Sequence, residues 1–117
     1  APGVEMLVGG LRDPSFGPMV VVGLGGILVE VLHDSAMRLA PIGPDDARAM
    51  VGQLRGARVL AGVRGRPAAD VAALEDLIVR LSLRMAACPE IAELDMNPVI
   101  VGPNGATVVD VRIALGT

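Results

Sequence analysis

Two acidic residues and an amide near the end of the chain have the types and spacing of a metal-binding group. Asp95 and Asn97 are separated by one residue, and Asp110 follows Asn97 by thirteen positions. The turn formers at 102–105 (Gly-Pro-Asn-Gly) lie between them, flanked by β-branched residues, which predicts a β-hairpin. If 102–105 form a four-residue turn, Asn97 and Asp110 face each other with Cβ atoms about 5 Å apart. Their side-chain oxygens could then share one magnesium ion, which takes oxygen ligands at about 2.1 Å.

The sequence is also compatible with a second register of the same hairpin. A two-residue turn at Asn104-Gly105 would place Arg112 opposite Asn97 in place of Asp110. Because the registers differ by two residues, Asn97, Asp110 and Arg112 share one face of the sheet in both. Asp95 points to that face as well, since alternate residues of a strand do so. Both registers predict a polar cluster of these four residues. The alternative without a metal is ordinary bonding of Asp and Asn side chains to nearby backbone.

Composition restricts the class of protein. The 117 residues are 52% apolar, which suits one domain or part of one and argues against intrinsic disorder. The net charge is −3 and aromatic residues are 1% of the chain, so nucleic-acid binding by a basic patch or by base stacking is not expected. All ten basic residues are arginine. This chain therefore holds no lysine for a Walker-type phosphate loop or a Schiff base.

The sequence also restricts the cellular setting. The longest apolar stretch, Met19–Val29, is interrupted by three glycines and is shorter than the roughly 20 residues that a membrane span needs. No membrane association is expected from it. Cys88 is the only cysteine and no signal-peptide pattern opens the chain. These features predict a reduced, cytoplasmic setting.

Hydrophobic patterning predicts an α+β fold with a mostly antiparallel sheet and two main helices. Pro44, with two acids behind it, is expected to open the first helix and Gly56 to stop it. The second helix is expected over residues 68–87, where apolar residues recur at helical spacing. Strands are expected at Val4–Leu11, Pro18–Val22, Ile27–Leu32 and Ala36–Pro41, and in the two arms of the closing hairpin.

Several motifs, in a fixed order over nearly the whole chain, carry a resemblance to a known family. They are Val4–Gly9, Arg12-Asp13-Pro14 with Phe16-Gly17-Pro18, Gly23–Ile27 with Val29-Glu30-Val31, Gly62–Gly65, Ile91–Pro98 and Val109–Arg112. In these motifs the chain resembles the C-terminal portion of the ATP-grasp domain of NDP-forming acyl-CoA synthetases. It is more distantly similar to the end of the ATP-grasp domain in the succinyl-CoA synthetase β-subunit. The resemblance implies that residues 1–117 form a single domain, a C-terminal ATP-grasp lobe belonging to a longer protein.

The resemblance also implies a role for each matching residue. Asn97 and Asp110 match the magnesium ligands, and Asp95 matches the acid that lies near a phosphorylated histidine. Arg112 occupies a position from which a guanidinium can bind phosphate. Gly23, Gly25 and Gly26 match a loop that contacts the phosphates or the histidine segment, and a bulge or tight turn is the equally favoured alternative for these glycines. The phosphorylated histidine lies outside the chain, because His33 matches no such residue.

The activity implied by the resemblance is an ADP-forming acyl-CoA synthetase that uses ATP/ADP and Mg²⁺. It interconverts acid, CoA and ATP with acyl-CoA, ADP and phosphate through a phosphohistidine. The implied partners are the N-terminal ATP-grasp lobe and the CoA-binding and ligase domains or subunit, through which CoA and a carboxylic acid bind. An oligomer is expected, and the isolated chain is expected to be inactive and to expose an apolar patch. The alternatives are a regulatory or assembly module, such as one fused to a protein acetyltransferase, and an unrelated α+β domain.

Overall fold

The computed structural model describes residues 3–25, 34–62 and 68–116. They form six strands, two α-helices and one short 3₁₀ helix. In chain order these are β1 (Val4–Asp13), β2 (Gly17–Leu24), β3 (Ser35–Leu39), α1 (Pro44–Gln53), the 3₁₀ helix (Ala57–Ala61), α2 (Val71–Ala87), β4 (Ile91–Gly102), β5 (Gly105–Val108) and β6 (Val111–Leu115). The extended piece expected at Ile27–Leu32, like Gly26, lies outside the described residues.

All strands belong to one antiparallel sheet with the order β3-β2-β1-β4-β5. β6 also pairs with β4, antiparallel, so that β5 and β6 share one edge of this long strand. The predicted α+β fold with a mostly antiparallel sheet and two main helices is confirmed. The second arm of the hairpin differs from expectation because it is broken at Val109-Asp110 into β5 and β6.

The helices pack on one face of the sheet, which we call the helix face. Alternate residues of β1 and β2, such as Met6, Val8, Val20 and Val22, are completely buried there. They form one core cluster with apolar residues of both helices, among them Met50, Leu74, Ile78 and Met85. We call the opposite face the open face, because no helix in the described part of the chain covers it. The intervening residues of each strand point to the open face.

The helix starts follow from local hydrogen bonding. Pro44 is the first residue of α1, and the Gly43 N–H in front of it donates to Asp46 Oδ2 at 3.3 Å. α2 begins at Val71, three residues later than predicted, because Asp70 caps it by accepting from the Ala73 N–H at 3.1 Å. The Asp70 N–H in turn donates to Gly102 O at 2.6 Å, which ties the start of α2 to the end of β4.

The other end of α2 is tied to the start of β4 by the half-buried Arg12. Its guanidinium donates to Ile91 O at 2.7 Å, to Cys88 O at 2.6 Å and to Met85 O. A cation is favourable at this position, because the carbonyls at a helix C-terminus lack partners and carry partial negative charge. Both ends of β4 are therefore fixed relative to α2. β4 is the strand that carries Asp95 and Asn97.

Candidate functional site

The closing hairpin has the predicted register. Gly102 pairs with Gly105 and Val99 pairs with Val108. The turn therefore covers residues 102–105 as expected, with φ +135° at Gly105, a conformation that favours glycine. The alternative register centred on Asn104-Gly105 is not adopted.

Asn97 and Asp110 face each other across the two strands. The Asn97 N–H donates to Asp110 O at 3.2 Å, and the Val109 N–H donates to Pro98 O at 3.0 Å. The same register continues beyond the break at Val109-Asp110, where Asp95 pairs directly with Arg112. Asp95 and Asn97 point to the open face, since Leu94 and Met96 on either side of Asp95 are buried in the core. The structure therefore brings the four predicted residues together as two neighbouring cross-strand pairs.

A β-bulge at Asn97-Pro98 lies at the centre of this group and differs from the regular strand expected from the sequence. On the side of β1, Met6 pairs with Val99 and Val8 pairs with Met96. The two residues 97 and 98 of β4 therefore oppose Leu7 alone. A bulge bends its strand and redirects side chains, and it tolerates a proline, which has no N–H for the ladder. The proline inside the strand pattern was the available indication.

Gly23 and Gly25, two of the glycines predicted to contact a cofactor, lie at the end of β2, on the other side of β1 from the polar pairs. Gly23 pairs with Leu7 on one side and with Ser35 on the other. A Cβ at Gly23 would lie 2.9 Å from Asp34 O, and one at Gly25 would lie 3.1 Å from Glu5 C. Close packing of backbone within the chain is thus sufficient to require glycine at both positions. The structure gives no separate indication of a cofactor contact for them, and Gly26 lies outside the described residues.

The four polar side chains make few contacts within residues 3–25, 34–62 and 68–116. Asn97, Asp110 and Arg112 are exposed and Asp95 is half-buried. Among the described residues, none of these four side chains makes a hydrogen bond, and the one ion pair joins Arg80 to Asp76 on the surface of α2. Asp95 and Arg112 are opposite each other without forming an ion pair. As far as the described residues are concerned, their donors and acceptors are therefore available to a third group.

The Asn97–Asp110 pair suits magnesium better than it suits a metal ion whose ligands all come from the protein. Within the described ranges no group of three or more His, Cys, Asp or Glu residues could hold a metal ion. Magnesium commonly binds through one or two carboxylates and completes its shell with water and phosphate oxygens. An amide oxygen and a carboxylate on adjacent strands fit that requirement. Such a site would need a phosphate-bearing ligand to be complete.

The described helices include none that is long and apolar enough to cross a membrane. The sheet instead carries exposed apolar side chains at its edges. Met37 and Leu39 are exposed on β3, and Val111, Ile113 and Leu115 are exposed on β6. An exposed apolar patch was expected from the sequence and is confirmed. Patches of this kind mark surfaces that contact another protein segment.

The sequence matches known proteins over nearly its full length. Residues 1–115 match the family model of an ATP-grasp domain. The chain is 46% identical over 114 residues to an ADP-forming acetate–CoA ligase I of Archaeoglobus fulgidus, covering 97% of the chain and 17% of that relative. It is 43% identical over 113 residues to the beta subunit of an ADP-forming acetate–CoA ligase I of Pyrococcus furiosus, covering 97% of the chain and 49% of that subunit.

The fold matches a solved structure equally well. This is the dinucleotide-forming acetyl-coenzyme A synthetase 1 of Ca. Korarchaeum cryptofilum in complex with coenzyme A and Mg-AMPPCP, with its phosphohistidine segment pointing towards the nucleotide binding site. The TM-score is 0.95 at 44% sequence identity, covering 99% of this chain and 55% of that chain. The chain thus spans about half the length of the beta subunit and of the solved chain, and about one sixth of the single-chain relative.

Proposed function

Since the chain belongs to the ATP-grasp domain family, we propose that residues 1–117 form the ATP- and magnesium-binding C-terminal lobe of an ADP-forming acid–CoA ligase. The observation that supports this function best is the pair of opposed residues Asn97 and Asp110 beside the second pair Asp95 and Arg112. The complete ligase would convert a carboxylic acid, CoA and ATP into acyl-CoA, ADP and phosphate through a phosphohistidine. Relatives with this activity support the proposal.

Asn97 and Asp110 would hold the magnesium ion in this proposal. Both offer hard oxygen donors, and the carboxylate of Asp110 adds the negative charge that attracts a divalent cation. A bound magnesium ion would neutralise charge on the nucleotide phosphates. The two residues keep their positions through backbone bonds of the hairpin, which do not engage their side chains. Catalysis of phosphoryl transfer depends mainly on such positioning and electrostatic stabilisation.

Asp95 and Arg112 would act on the phosphoryl group and its acceptor. The Asp95 carboxylate can accept a hydrogen bond from one imidazole nitrogen of the histidine, which leaves the other nitrogen free to receive phosphate. The Arg112 guanidinium can donate two parallel hydrogen bonds to phosphate oxygens. Since the two side chains do not pair with each other, neither interaction requires an existing ion pair to break.

The lobe would act only together with the rest of the ligase. Its matched relatives are about two to six times longer, so the remaining protein would supply the other side of the nucleotide cleft, the histidine and the CoA site. The exposed apolar residues of β3 and β6 offer surfaces for such partners. We therefore expect the isolated chain to lack ligase activity. Only an assembled site that binds the transition state more tightly than the substrates accelerates the reaction.

Phosphorylation of the complete ligase tests the function. Incubation with Mg-ATP labelled in the γ-phosphate should give an enzyme-bound label that is stable to alkali and labile to acid, as phosphohistidine is. Addition of a carboxylic acid and CoA should discharge the label and form acyl-CoA. A regulatory module would bind Mg-nucleotide but acquire no label. The proposal would be contradicted if the complete protein is not phosphorylated by Mg-ATP and does not form ADP in a reaction that depends on acid and CoA.

A further inference from the structure

Two adjacent glycines, Gly9 and Gly10, lie in the middle of β1 and point to opposite faces of the sheet. Glycine weakens a strand interior and often marks a place where another group approaches the backbone closely. Gly10 faces the helices, and a Cβ there would lie 2.5 Å from Met85 Cγ and 2.8 Å from its Sδ. Packing of α2 against the sheet therefore accounts for Gly10.

Gly9 is less tightly enclosed than Gly10 by the described part of the chain. A Cβ at Gly9 would lie 3.3 Å from Leu94 O, 3.4 Å from Val21 Cγ1 and 3.7 Å from Asp95 Oδ1. The contact with the Leu94 carbonyl oxygen is tight, so the backbone of β4 would have to shift by a few tenths of an ångström, whereas the other two distances are ordinary van der Waals contacts. A methyl group at Gly9 would therefore nearly fit, and it would lie on the open face in contact with the Asp95 carboxylate.

The space above Gly9 adjoins the polar pairs. Gly9 pairs with Asp95 on β4 and with Val21 on β2, and cross-strand partners point to the same face. Asp95 in turn pairs with Arg112. The bare backbone at Gly9 is therefore bounded on one side by the Asp95 carboxylate, which has no partner among the described residues, and on the other by an aliphatic side chain. A flat ring with a polar edge, such as an imidazole, suits these surroundings.

We propose that Gly9 is a positioning residue that keeps open the space in which the phosphohistidine ring lies against Asp95. The inference rests on the proposed function and adds a determinant on β1 to the residues of β4 and β6. A methyl or isopropyl group at this position displaces the ring from Asp95 but does not reach the Asn97–Asp110 pair, which lies further along the sheet. Addition of side-chain volume at Gly9 therefore affects phosphorylation of the histidine and leaves Mg-nucleotide binding intact.

The size series Gly9→Ala and Gly9→Val in the complete ligase tests this. Histidine phosphorylation by Mg-ATP should slow by about tenfold in the alanine variant and about 100-fold in the valine variant, the effect of displacing a reacting group by roughly 1 Å. The affinity for Mg-nucleotide should stay within about twofold of wild type. Gly10→Ala is the matched control on the helix face. Its thermal unfolding temperature should fall, whereas the folded enzyme should phosphorylate at the wild-type rate.

Three outcomes would overturn the inference. Wild-type phosphorylation by Gly9→Val shows that the space is not used, and parallel loss of nucleotide binding and phosphorylation shows that the nucleotide itself occupies it. If the valine variant does not fold, Gly9→Ala decides, because its Cβ nearly fits. A wild-type ligase that never becomes phosphorylated contradicts the proposed function, and the inference with it. A phosphorylated wild type with unaffected Gly9 variants contradicts the inference alone.

Discussion

At the scale of single residues, the two opposed pairs of the hairpin differ in charge. Asn97 and Asp110 together carry one negative charge, whereas Asp95 and Arg112 together are neutral and offer both acceptors and donors. The first pair therefore suits a cation, and the second suits a ligand that has both an N–H and anionic oxygens. A phosphorylated imidazole is such a ligand. The two pairs should respond differently to loss of a carboxylate.

We predict that Asp110→Asn and Asp95→Asn affect different steps in the complete ligase. Asp110→Asn should weaken Mg-nucleotide binding by about 10- to 100-fold, the effect of losing one strong interaction with a charged group. Asp95→Asn should leave that affinity within about twofold but slow histidine phosphorylation by about 100-fold. Titration calorimetry and labelling with γ-phosphate measure the two quantities. Asp45→Asn at the exposed start of α1 serves as the control. Equal effects of both substitutions on binding would contradict the assignment.

The residues of the site could be predicted from the sequence because the turn is encoded locally. Gly102–Gly105 determine the register, and the register determines which residues face each other. The bulge at Asn97-Pro98 could not be derived in the same way, since it depends on how β4 pairs with β1, a strand about ninety residues earlier. The environment of Gly9 was not predicted for the same reason.

At the scale of the elements, Arg12 connects three parts of the fold. It lies on β1 and donates to carbonyls at the end of α2 and at the start of β4. These carbonyl oxygens are partly shielded from water, so removal of the guanidinium would leave them without a hydrogen-bond donor. The described contacts of Arg12 therefore join β1 and α2 to the start of β4, the strand that carries Asp95.

We predict that Arg12→Met lowers the free energy of unfolding of the chain by about 3 kcal/mol, since several hydrogen bonds from a charged donor are lost. Arg12→Lys should recover part of this, because it keeps the charge but cannot reach the carbonyls with a planar fork. Arg80→Met is the matched control, as Arg80 forms only an exposed ion pair with Asp76 and should change stability by less than about 0.5 kcal/mol. Urea denaturation measures all three. Similar losses for Arg12→Met and Arg80→Met would exclude the connecting role.

Substitution of two glycines provides a second test at this scale, because the two changes should alter the stability of the chain in opposite directions. Gly17 follows the tight turn between β1 and β2 and has φ +87°, so Gly17→Ala should destabilise the chain by about 1 kcal/mol. Gly52 lies within α1, and a Cβ there meets nothing within 4 Å. Gly52→Ala should therefore stabilise the chain by about 0.5–1 kcal/mol through helix propensity. Thermal unfolding of the two variants is the measurement, and changes of the same sign would contradict the argument.

The elements themselves could largely be predicted from the sequence, because helices and strands are encoded by periodicity and caps. Pro44 marked the start of α1, and the apolar repeat marked α2. The break between β5 and β6 was not foreseen, since Val108–Arg112 has the composition of a continuous strand. The β5 register and the β6 pairing meet there beside the bulge of β4, which is a property of the sheet and not of the segment.

At the scale of the whole molecule, several large apolar side chains are exposed and do not pack in the core. Leu115 is 74% exposed and Ile113 is 53% exposed, and with Val111 they form a row on the helix face of β6 that α2 does not cover. β6 is also an edge strand of the described sheet, and its outer backbone groups have no strand partner there. Arg112 is the one charged residue of this strand and lies on the open face, so no charge or proline protects the apolar row on the helix face.

We therefore predict that the isolated chain associates with itself through β6 when the rest of the ligase is absent. The apparent mass in sedimentation or light scattering should rise with concentration, because an exposed apolar edge strand favours pairing with a second copy. Ile113→Lys should shift the association to at least about tenfold higher concentration, since a charge in the row opposes burial. Leu83→Lys is the matched control, as Leu83 is also exposed but belongs to α2 and not to the edge strand. A chain that stays monomeric at high concentration, or that responds equally to both substitutions, would show that β6 is not the associating surface.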